Sequence, residues 1–284
     1  MKTFALHSDD RLARYDYLSR LSPDRWAWEF LRRNRRFRRD AAARKDADIS
    51  ERRAPCEDIR LLRARTPQTL AERWGLVLMP APALDGYHAD VVWNPFAFPD
   101  QVTVHPVPRA PEEHCEIHDR SVRECAVTHI TDAAGREYLL LRKNGHVIQI
   151  RSVGVSFLGI EPVRINLTLP DLESYKRRLK LQEAAIQIFS EEETAPAAQW
   201  TKTTQILRDG LVALDCLDSG MTRRDVAVML HGAERVDEEW EGSSMKFSIR
   251  YLAQKAAALR DGGYMMELLG GEHGPARPVR GETA

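Results

Sequence analysis

Residues 222–263 read TRRDVAVMLHGAERVDEEWEGSSMKFSIRYLAQKAAALRDGG, and this stretch holds the clearest helix signals in the chain. Thr222 can cap a first helix while Asp225, three residues later, reaches back to the cap. Gly232 then supplies a stop signal. The apolar face between them consists of Val226, Met229 and Leu230. We therefore expect a short helix that begins after Thr222 and ends at Gly232.

A longer helix is predicted after a loop of about ten residues that carries Trp240, because Ser243 or Ser244 can cap it. Helical spacing predicts a buried stripe made of Ile249, Leu252, Ala256 and Leu259. Between residues 243 and 260 the only charged residues are Lys246, Arg250, Lys255 and Arg260, which gives a charge of +4. Such a helix suits a phosphate-lined groove, as the second helix of a helix-turn-helix.

Two interpretations of this basic helix stay open on the residues alone. Lys and Arg also solvate the outer face of ordinary amphipathic helices, and the loop is longer than the three or four residues of the compact motif. The helix N-terminus, however, offers backbone N–H groups to a phosphate. We predict DNA contacts from Thr222, Arg223, Arg224, Ser243, Ser244, Lys246 and Arg250.

A second basic segment lies near the N-terminus, after the helix start at Ser22 and Pro23. Trp26, Phe30 and Phe37 are expected on one face of a helix, and residues 32–45 hold eight basic residues against one acid, Asp40. Such a surface gains affinity for DNA without sequence preference, although basic helices also bind acidic proteins. The predicted contacts are Arg32, Arg33, Arg35 and Arg36.

Trp26 and Trp28 are two residues apart, so they cannot face the same way on a helix. Stacking on unpaired bases is one use of such residues. We favour packing in the core. Because the two side chains point in different directions, one of them could instead be exposed and contact a partner.

Two longer stretches resemble known families. LRDGLVALDCLDSGMTRRDVAVMLHG (207–232) and EEWEGSSMKFSIRYLAQKAAALRDGGYMMELL (238–269) are similar to the DUF2285 domain of proteobacterial mobile elements, including its long loop with a Trp. YDYLSRLSPDRWAWEFLRRN (15–34) resembles the DUF6499 segment that precedes such a domain in fused activators of integrative and conjugative element excision. The resemblance implies an activator of excision or transfer genes on a mobile element that is restrained by a small antiactivator protein. The basic helix predicts double-stranded DNA as its partner, and activation further requires a contact with RNA polymerase or another protein.

Charge is unevenly distributed along the 284 residues, although 42 Lys or Arg balance 42 Asp or Glu. Residues 1–65 hold 18 basic and 11 acidic residues, a net charge of +7, whereas residues 200–269 hold 9 and 11. Four cysteines are too few for a disulfide framework, and no signal-peptide core or membrane-length apolar run is present. We expect a cytoplasmic protein with no membrane contact.

The predicted fold class is α+β. We expect a basic helical segment at 1–65, an α+β middle region with antiparallel strands at 66–192, a helical helix-turn-helix domain at 200–269 that folds on its own, and a disordered tail at 270–284. Strands are predicted within 76–79, 91–107, 125–130, 137–142, 147–153 and 162–170, with hairpin turns at 132–135 and 144–145. Residues 41–65 are interpreted as a linker or a loosely held helix, and 191–196 as a linker.

No sequence motif indicates a catalytic site. The sequence lacks the Gly-x-Ser-x-Gly nucleophile elbow, a phosphate-binding loop and the HExxH helix of metalloproteases. Metal-capable side chains cluster at His105, His114, Cys115, His118, Cys125 and His129, but without the paired spacing of a zinc module. We therefore predict no catalytic residue, no metal and no cofactor.

The favoured function is a DNA-binding transcriptional regulator, and the alternative is an adaptor or antiactivator that docks another regulator without contacting DNA.

Overall fold

The computed structural model describes residues 12–44, 48–54, 59–158, 162–168, 175–189, 200–241 and 243–271. The α-helices there are α1 (Pro23–Leu31), α2 (Arg35–Ala42), α3 (Thr69–Glu72), α4 (Glu116–Glu124), α5 (Tyr175–Ile186), α6 (Lys202–Asp218), α7 (Arg223–His231), α8 (Ala233–Glu239), α9 (Ser243–Ala258) and α10 (Tyr264–Glu267). Strands are β1 (Ile49–Arg53), β2 (Ile59–Ala64), β3 (Val102–Pro108), β4 (Ala126–Thr131), β5 (Glu137–Lys143), β6 (His146–Ser152) and β7 (Val163–Leu167). The α+β class is confirmed, with helices at both ends of the chain and a sheet between them.

One sheet takes up all seven of these strands, in the order β1-β2-β4-β5-β6-β3-β7. The meander β4-β5-β6 follows the predicted hairpins, and its second turn has the positive φ angles of a two-residue turn at Asn144 (50°) and Gly145 (80°). β2 pairs with β4, and β3 with β6, in parallel. The sheet is therefore mixed, because two crossover connections join its antiparallel parts.

The interpretation of residues 41–65 as a linker or loose helix was wrong, because β1 and β2 lie there. Leu62 and Ala64 are buried in the sheet core, whereas Arg63 and Arg65 point to the other face and are exposed. The short alternating run was obscured by its many charges. The apolar stretch 76–79, in contrast, forms only an isolated bridge from Leu76 to Trp93.

Helix α1 is the centre of the molecule, since eight of its nine residues are buried. Trp26 and Phe30 pack in one cluster with the C-terminal helices, while Trp28 and Leu31 pack in a second cluster with the middle region. Trp26 is 2% exposed and Trp28 is 0% exposed. Core packing is therefore confirmed for both, and neither offers a surface for stacking on bases.

The expected single N-terminal helix is divided in two at residues 32–34. Asn34 has extended backbone angles and its Oδ1 accepts hydrogen bonds from the backbone N–H groups of Arg36 (2.9 Å) and Phe37 (3.1 Å). Asn34 is thus the N-cap of α2. The break lets Phe37 turn into the cluster that contains Trp28 and Trp74.

Packing crosses the predicted domain boundaries. Tyr264 of α10 donates a hydrogen bond from its hydroxyl to the Trp74 carbonyl (3.0 Å), and Met265 and Leu269 belong to the same cluster as Trp93. The division at residues 65 and 200 remains a prediction, but the expectation that 200–269 folds alone loses its basis. The predicted linker at 191–196 and residues 272–284 of the predicted tail lie outside the described residues. The tail was predicted to begin at 270, but Gly271 is buried and donates from its N–H to the Met265 carbonyl (2.9 Å). No helix in the described ranges is long and apolar enough to cross a membrane.

Candidate nucleic-acid interface

Helix α7 has the predicted capping box. Thr222 Oγ1 accepts a hydrogen bond from the Asp225 backbone N–H (3.2 Å), and the Asp225 carboxylate accepts from the Thr222 backbone N–H (2.8 Å). The Thr222 hydroxyl also donates to this carboxylate (2.7 Å), and its hydrogen bond, together with the one from the Thr222 backbone N–H, lowers the pKa of Asp225. Val226 is buried, and Gly232 ends the helix at φ 86° and ψ 156°, a conformation that only glycine adopts readily.

The long loop expected between the two helices is instead helix α8. Its one apolar anchor is Val236, which is 0% exposed, and Arg235 forms an i,i+4 ion pair with Glu239 (3.0 Å). A single buried residue in a seven-residue helix leaves no periodicity for the sequence to show. The acids of α8 are Glu234, Asp237, Glu238 and Glu239. They outnumber its basic residues, so α8 is unsuited to a phosphate-lined groove.

Helix α9, together with Leu259 directly after it, buries the predicted stripe, and α9 packs against α6. Ile249, Ala256 and Leu259 are at most 1% exposed and Leu252 is 9% exposed. A Cβ added at Gly210 of α6 would lie 3.1 Å from the Ala256 Cβ, so the absence of a side chain allows the close approach. The opposite side of α9 therefore faces away from the core.

Lys246 and Arg250 lie on that opposite side, and both are exposed as predicted. Lys246 Nζ is 3.3 Å from Glu241 Oε2 and 5.6 Å from the centre of the Trp240 ring. Arg250 makes no ion pair within the part of the chain that the structure describes. It is the cation of α9 that is most available to a phosphate or a base edge.

The other predicted DNA-contact residues of this region differ in whether their side chains already bind another residue of the chain. Arg223 is exposed and has no ion pair among the described residues, whereas Arg224 is 2.5 Å from Asp237 of α8. Thr222 is engaged in the cap. Ser244 is exposed in the first turn of α9, and Ser243 begins that helix.

Arg33 does not belong to the basic surface, which corrects its assignment as a DNA contact. Its guanidinium holds both carboxylate oxygens of Asp215 at 2.7 and 2.9 Å and contacts Glu29 Oε2 at 2.7 Å. Its side chain is 7% exposed. Arg32 is also engaged, by Glu29 (2.7 Å) and by the Pro82 carbonyl (3.3 Å). Sequence alone cannot separate these arginines from their exposed neighbours, because Glu29 is a local partner but Asp215 and Pro82 are remote in the chain.

Arg35 and Arg36 are exposed on α2, as predicted. Arg35 is 81% exposed and lies 3.6 Å from Asp218. The start of α2 adjoins the turn after α9, since Asn34 Nδ2 donates to the Arg260 carbonyl (3.1 Å). Arg250 and Arg260 are separated by about 15 Å along a helix axis at 1.5 Å per residue. The α2 arginines are thus nearer the C-terminal end of α9 than its N-terminal half.

Two aromatic residues on α9 were missed. Phe247 is 64% exposed and Tyr251 is 58% exposed, one turn apart and beside Lys246 and Arg250. Their absence from the buried stripe was the available signal, because apolar residues outside the stripe of an amphipathic helix face solvent. Exposed aromatic residues next to cations suit either a nucleic acid or a protein partner.

The metal-capable cluster is dispersed. The Cys115 thiol is buried and accepts a hydrogen bond from the Ile165 N–H (3.3 Å), while His129 is buried on β4 with its Nε2 3.2 Å from Glu137. His114 and His118 lie near Asp119. Within the described ranges, no group of three or more His, Cys, Asp or Glu is arranged to hold a metal ion. The absence of a metal remains a prediction.

Two parts of the chain match family models. Residues 168–269 match the DNA-binding domain of a T6SS transcription factor, and residues 10–78 match a proteobacterial transcriptional regulator-like domain. No curated protein matches the chain. The similarities support a DNA-binding transcription regulator with DNA as its partner, and both models describe non-enzymatic domains. The matches extend beyond residue 65 and begin before residue 200, so they cross the predicted boundaries.

Proposed function

We propose that this protein is an activator of excision or transfer genes on a mobile genetic element, and that it binds promoter DNA with α9 in the major groove. The observation that supports DNA contact is the exposed face of α9. Lys246 and Arg250 lie on this face, and the helix contains no Asp or Glu. The mobile-element target rests on the resemblance to fused DUF6499 and DUF2285 activators.

The shape of α9 suits a groove. It has 16 residues, and its buried stripe is on the side away from Lys246 and Arg250. A major groove admits one α-helix and presents base edges to Arg and thymine methyl groups to apolar side chains. Arg250 can therefore contact guanine or phosphate, and Phe247 can contact a thymine methyl.

The exposed arginines of α2 would add sequence-independent affinity. Arg35 and Arg36 would contact phosphates beside the segment that α9 reads, because α2 starts next to the Arg260 carbonyl. Activation further needs a contact with RNA polymerase, which we assign to the N-terminal and middle parts of the chain. A small antiactivator would restrain the protein by binding it directly.

A second candidate is the protein-binding adaptor or antiactivator, and Phe247 and Tyr251 favour it. Two large aromatic side chains on one exposed helix face are typical of docking surfaces. The two functions differ in their salt dependence. DNA binding releases counterions and weakens steeply as salt rises, whereas docking on an apolar surface does not.

Enrichment of genomic fragments by the purified full chain tests the proposal. We expect enrichment of fragments upstream of excision or transfer genes, and its loss in Lys246→Ala with Arg250→Ala. Arg123→Ala, which removes an exposed arginine from α4, serves as the matched control and should enrich the same fragments. Enrichment without any sequence preference, or an unchanged pattern in the double variant, would contradict the assignment of α9.

A further inference from the structure

A cleft of about 810 Å³ lies on the sheet at its β1–β2 end. This volume is within the range of small-molecule sites in proteins, roughly 300 to 1,000 Å³. Its lining combines basic, hydroxyl and apolar side chains, with His129 and Glu137 among them. None of these residues belongs to the DNA-contact surface on α9.

Strand register explains why these side chains meet. Ser50 pairs with Arg63 across β1 and β2, Leu61 pairs with His129 across β2 and β4, and Thr131 pairs with Glu137 across β4 and β5. Directly paired residues point to the same face of a sheet. The intervening residues Leu62, Ile130 and Tyr138 point to the other face and are buried.

The cations of the cleft are free. Arg52, Arg63 and Arg65 are exposed, and none has an ion pair within the described residues. Arg52 lies on β1, Arg63 on β2 and Arg65 directly after β2, and these three guanidinium groups have like charge, so an anion between them would be stabilising. Arg also offers a planar fork that fits carboxylate and phosphate oxygens.

The acids of the cleft are already engaged. Asp132 accepts from the Arg136 side chain (2.5 Å) and from the Ala134 backbone N–H (2.9 Å). Glu137 accepts from the Phe157 backbone N–H (3.0 Å) and from the Ser156 hydroxyl. Burial would raise the pKa of Glu137, but hydrogen bonds from His129, Ser156 and Phe157 outweigh it and lower the pKa. Neither acid is free to neutralise the arginines.

We propose that this cleft binds a small molecule carrying an oxyanion, a phosphate monoester or a carboxylate, through Arg63 and its neighbours Arg52 and Arg65. The apolar part of the ligand contacts Leu61 and Leu158, which also line the cleft. A nucleic acid fits less well, because the basic residues lie only on β1, β2 and the residue after β2, and because two carboxylates, Asp132 and Glu137, also line the cleft. The regulator would thus carry an effector site separate from its DNA-contact helix.

Calorimetric titration of the full chain tests this site, with adenosine monophosphate and citrate as the anionic probes and adenosine and glycerol as their neutral counterparts. We expect saturable binding of at least one anion and a raised unfolding temperature. Arg63→Gln and Arg65→Gln should each weaken that binding by at least about tenfold, since each removes a charge-assisted hydrogen bond to the anion. Arg164→Gln, which changes an exposed side chain on β7 at the other edge of the sheet, should leave it unchanged.

Binding of the phosphate probe alone identifies a phosphate ligand, and binding of citrate alone identifies a carboxylate ligand. Equal binding of adenosine and adenosine monophosphate would overturn the proposal, as would no saturable binding of either anion. Random-sequence duplex that binds the wild type but not Arg63→Gln, with no binding of the small anions, would make the face a nucleic-acid surface instead. Promoter binding through α9 is measured without these probes. A cleft that binds no anion would therefore leave the proposed DNA binding untouched, and loss of the DNA-binding proposal would leave the anion site untouched.

Discussion

At the scale of single residues, the Arg33–Asp215 pair joins the N-terminal segment to the C-terminal helices. Arg33 holds both oxygens of Asp215, and the Tyr15 hydroxyl donates a third hydrogen bond to it (2.9 Å). Burial would raise the pKa of Asp215, but the hydrogen bond and charge of Arg33 and the hydrogen bond of Tyr15 lower it. The carboxylate is therefore ionised at neutral pH and stabilises the folded state.

We predict that Asp215→Asn lowers the free energy of unfolding by about 3 kcal/mol, because the buried Arg33 would lose one of its two carboxylate partners and keep only Glu29. The matched control is Asp218→Asn, three residues away on α6. Its two partners lie at long range, Arg35 at 3.6 Å and Arg260 at 3.9 Å, and Asp218 itself is 38% exposed, so the loss should be below about 1 kcal/mol. Urea unfolding of both variants measures the difference. Equal losses in the two would show that Arg33–Asp215 does not hold the parts together.

The same pair predicts how stability changes in acid. Asp215 has a lower pKa in the folded protein than in the unfolded chain, so the unfolded chain binds more protons as pH falls. The contribution of Asp215 is fully present above its unfolded value and is lost as pH falls through the folded one. The stability gap between wild type and Asp215→Asn should therefore be largest near neutral pH and shrink as pH falls below about 4, the ordinary pKa of an Asp carboxyl. A constant gap over that range would argue against this linkage.

At the scale of elements, sequence predicts what is local. The cap at Thr222, the stop at Gly232, the stripe from Ile249 to Leu259 and the Asn144 turn all depend on neighbours in the chain, and the structure has each of them. Helix α8 and the strands β1 and β2 were missed, because one buried valine or a few alternating residues among charges give too little periodicity. Their state is decided by what they pack against.

We predict that Thr222→Ala lowers the free energy of unfolding by about 1 kcal/mol, since it removes the hydrogen bond acceptor of the N-cap. Thr222→Ser is the matched control, because serine keeps the hydroxyl and should retain stability within a few tenths of a kcal/mol. Thermal unfolding of the two variants compares them. If serine costs as much as alanine, the threonine methyl rather than the cap stabilises this turn.

At the scale of the whole molecule, α1 forms the core that the two ends of the chain share. Trp26 packs toward α6 and α9, Trp28 packs toward Trp74, and Tyr264 returns from the C-terminus to the same region. The sequence showed that the two tryptophans must point in different directions from their helix. It did not show that each of them would be buried in a separate hydrophobic cluster. Contacts between residues so far apart in the chain leave no trace in local periodicity.

This packing changes the expectation for the isolated fragment 200–269. Tyr264, Met265 and Leu269 are at most 5% exposed in the full chain and would lose Trp74 and Trp93 as partners. Asp215 would lose Arg33. We therefore expect the fragment to show no cooperative thermal transition by circular dichroism, in contrast to the full chain. A sharp transition in the fragment, close to that of the full chain, would instead support the predicted boundary at residue 200.

The distribution of basic residues over the molecule determines how DNA affinity depends on salt concentration. Arg35 and Arg36 lie on a different helix from Lys246 and Arg250, and both pairs are exposed. The first pair should supply affinity without sequence preference and the second should supply discrimination between sequences. Replacing Arg36 alone by Gln should reduce the slope of log affinity against log salt by about 1 and leave the preferred sequence unchanged.

The most direct test of the central claim is the affinity of the Arg250→Ala full chain for an enriched promoter duplex and for a scrambled duplex, measured by fluorescence anisotropy over a range of salt. If Arg250 contacts a base edge, promoter affinity should fall by about 1–3 kcal/mol and the preference over scrambled DNA should shrink. Arg123→Ala, on α4, should bind both duplexes as the wild type does. Unchanged promoter affinity and an unchanged salt slope in Arg250→Ala would show that α9 is not the DNA-contact helix.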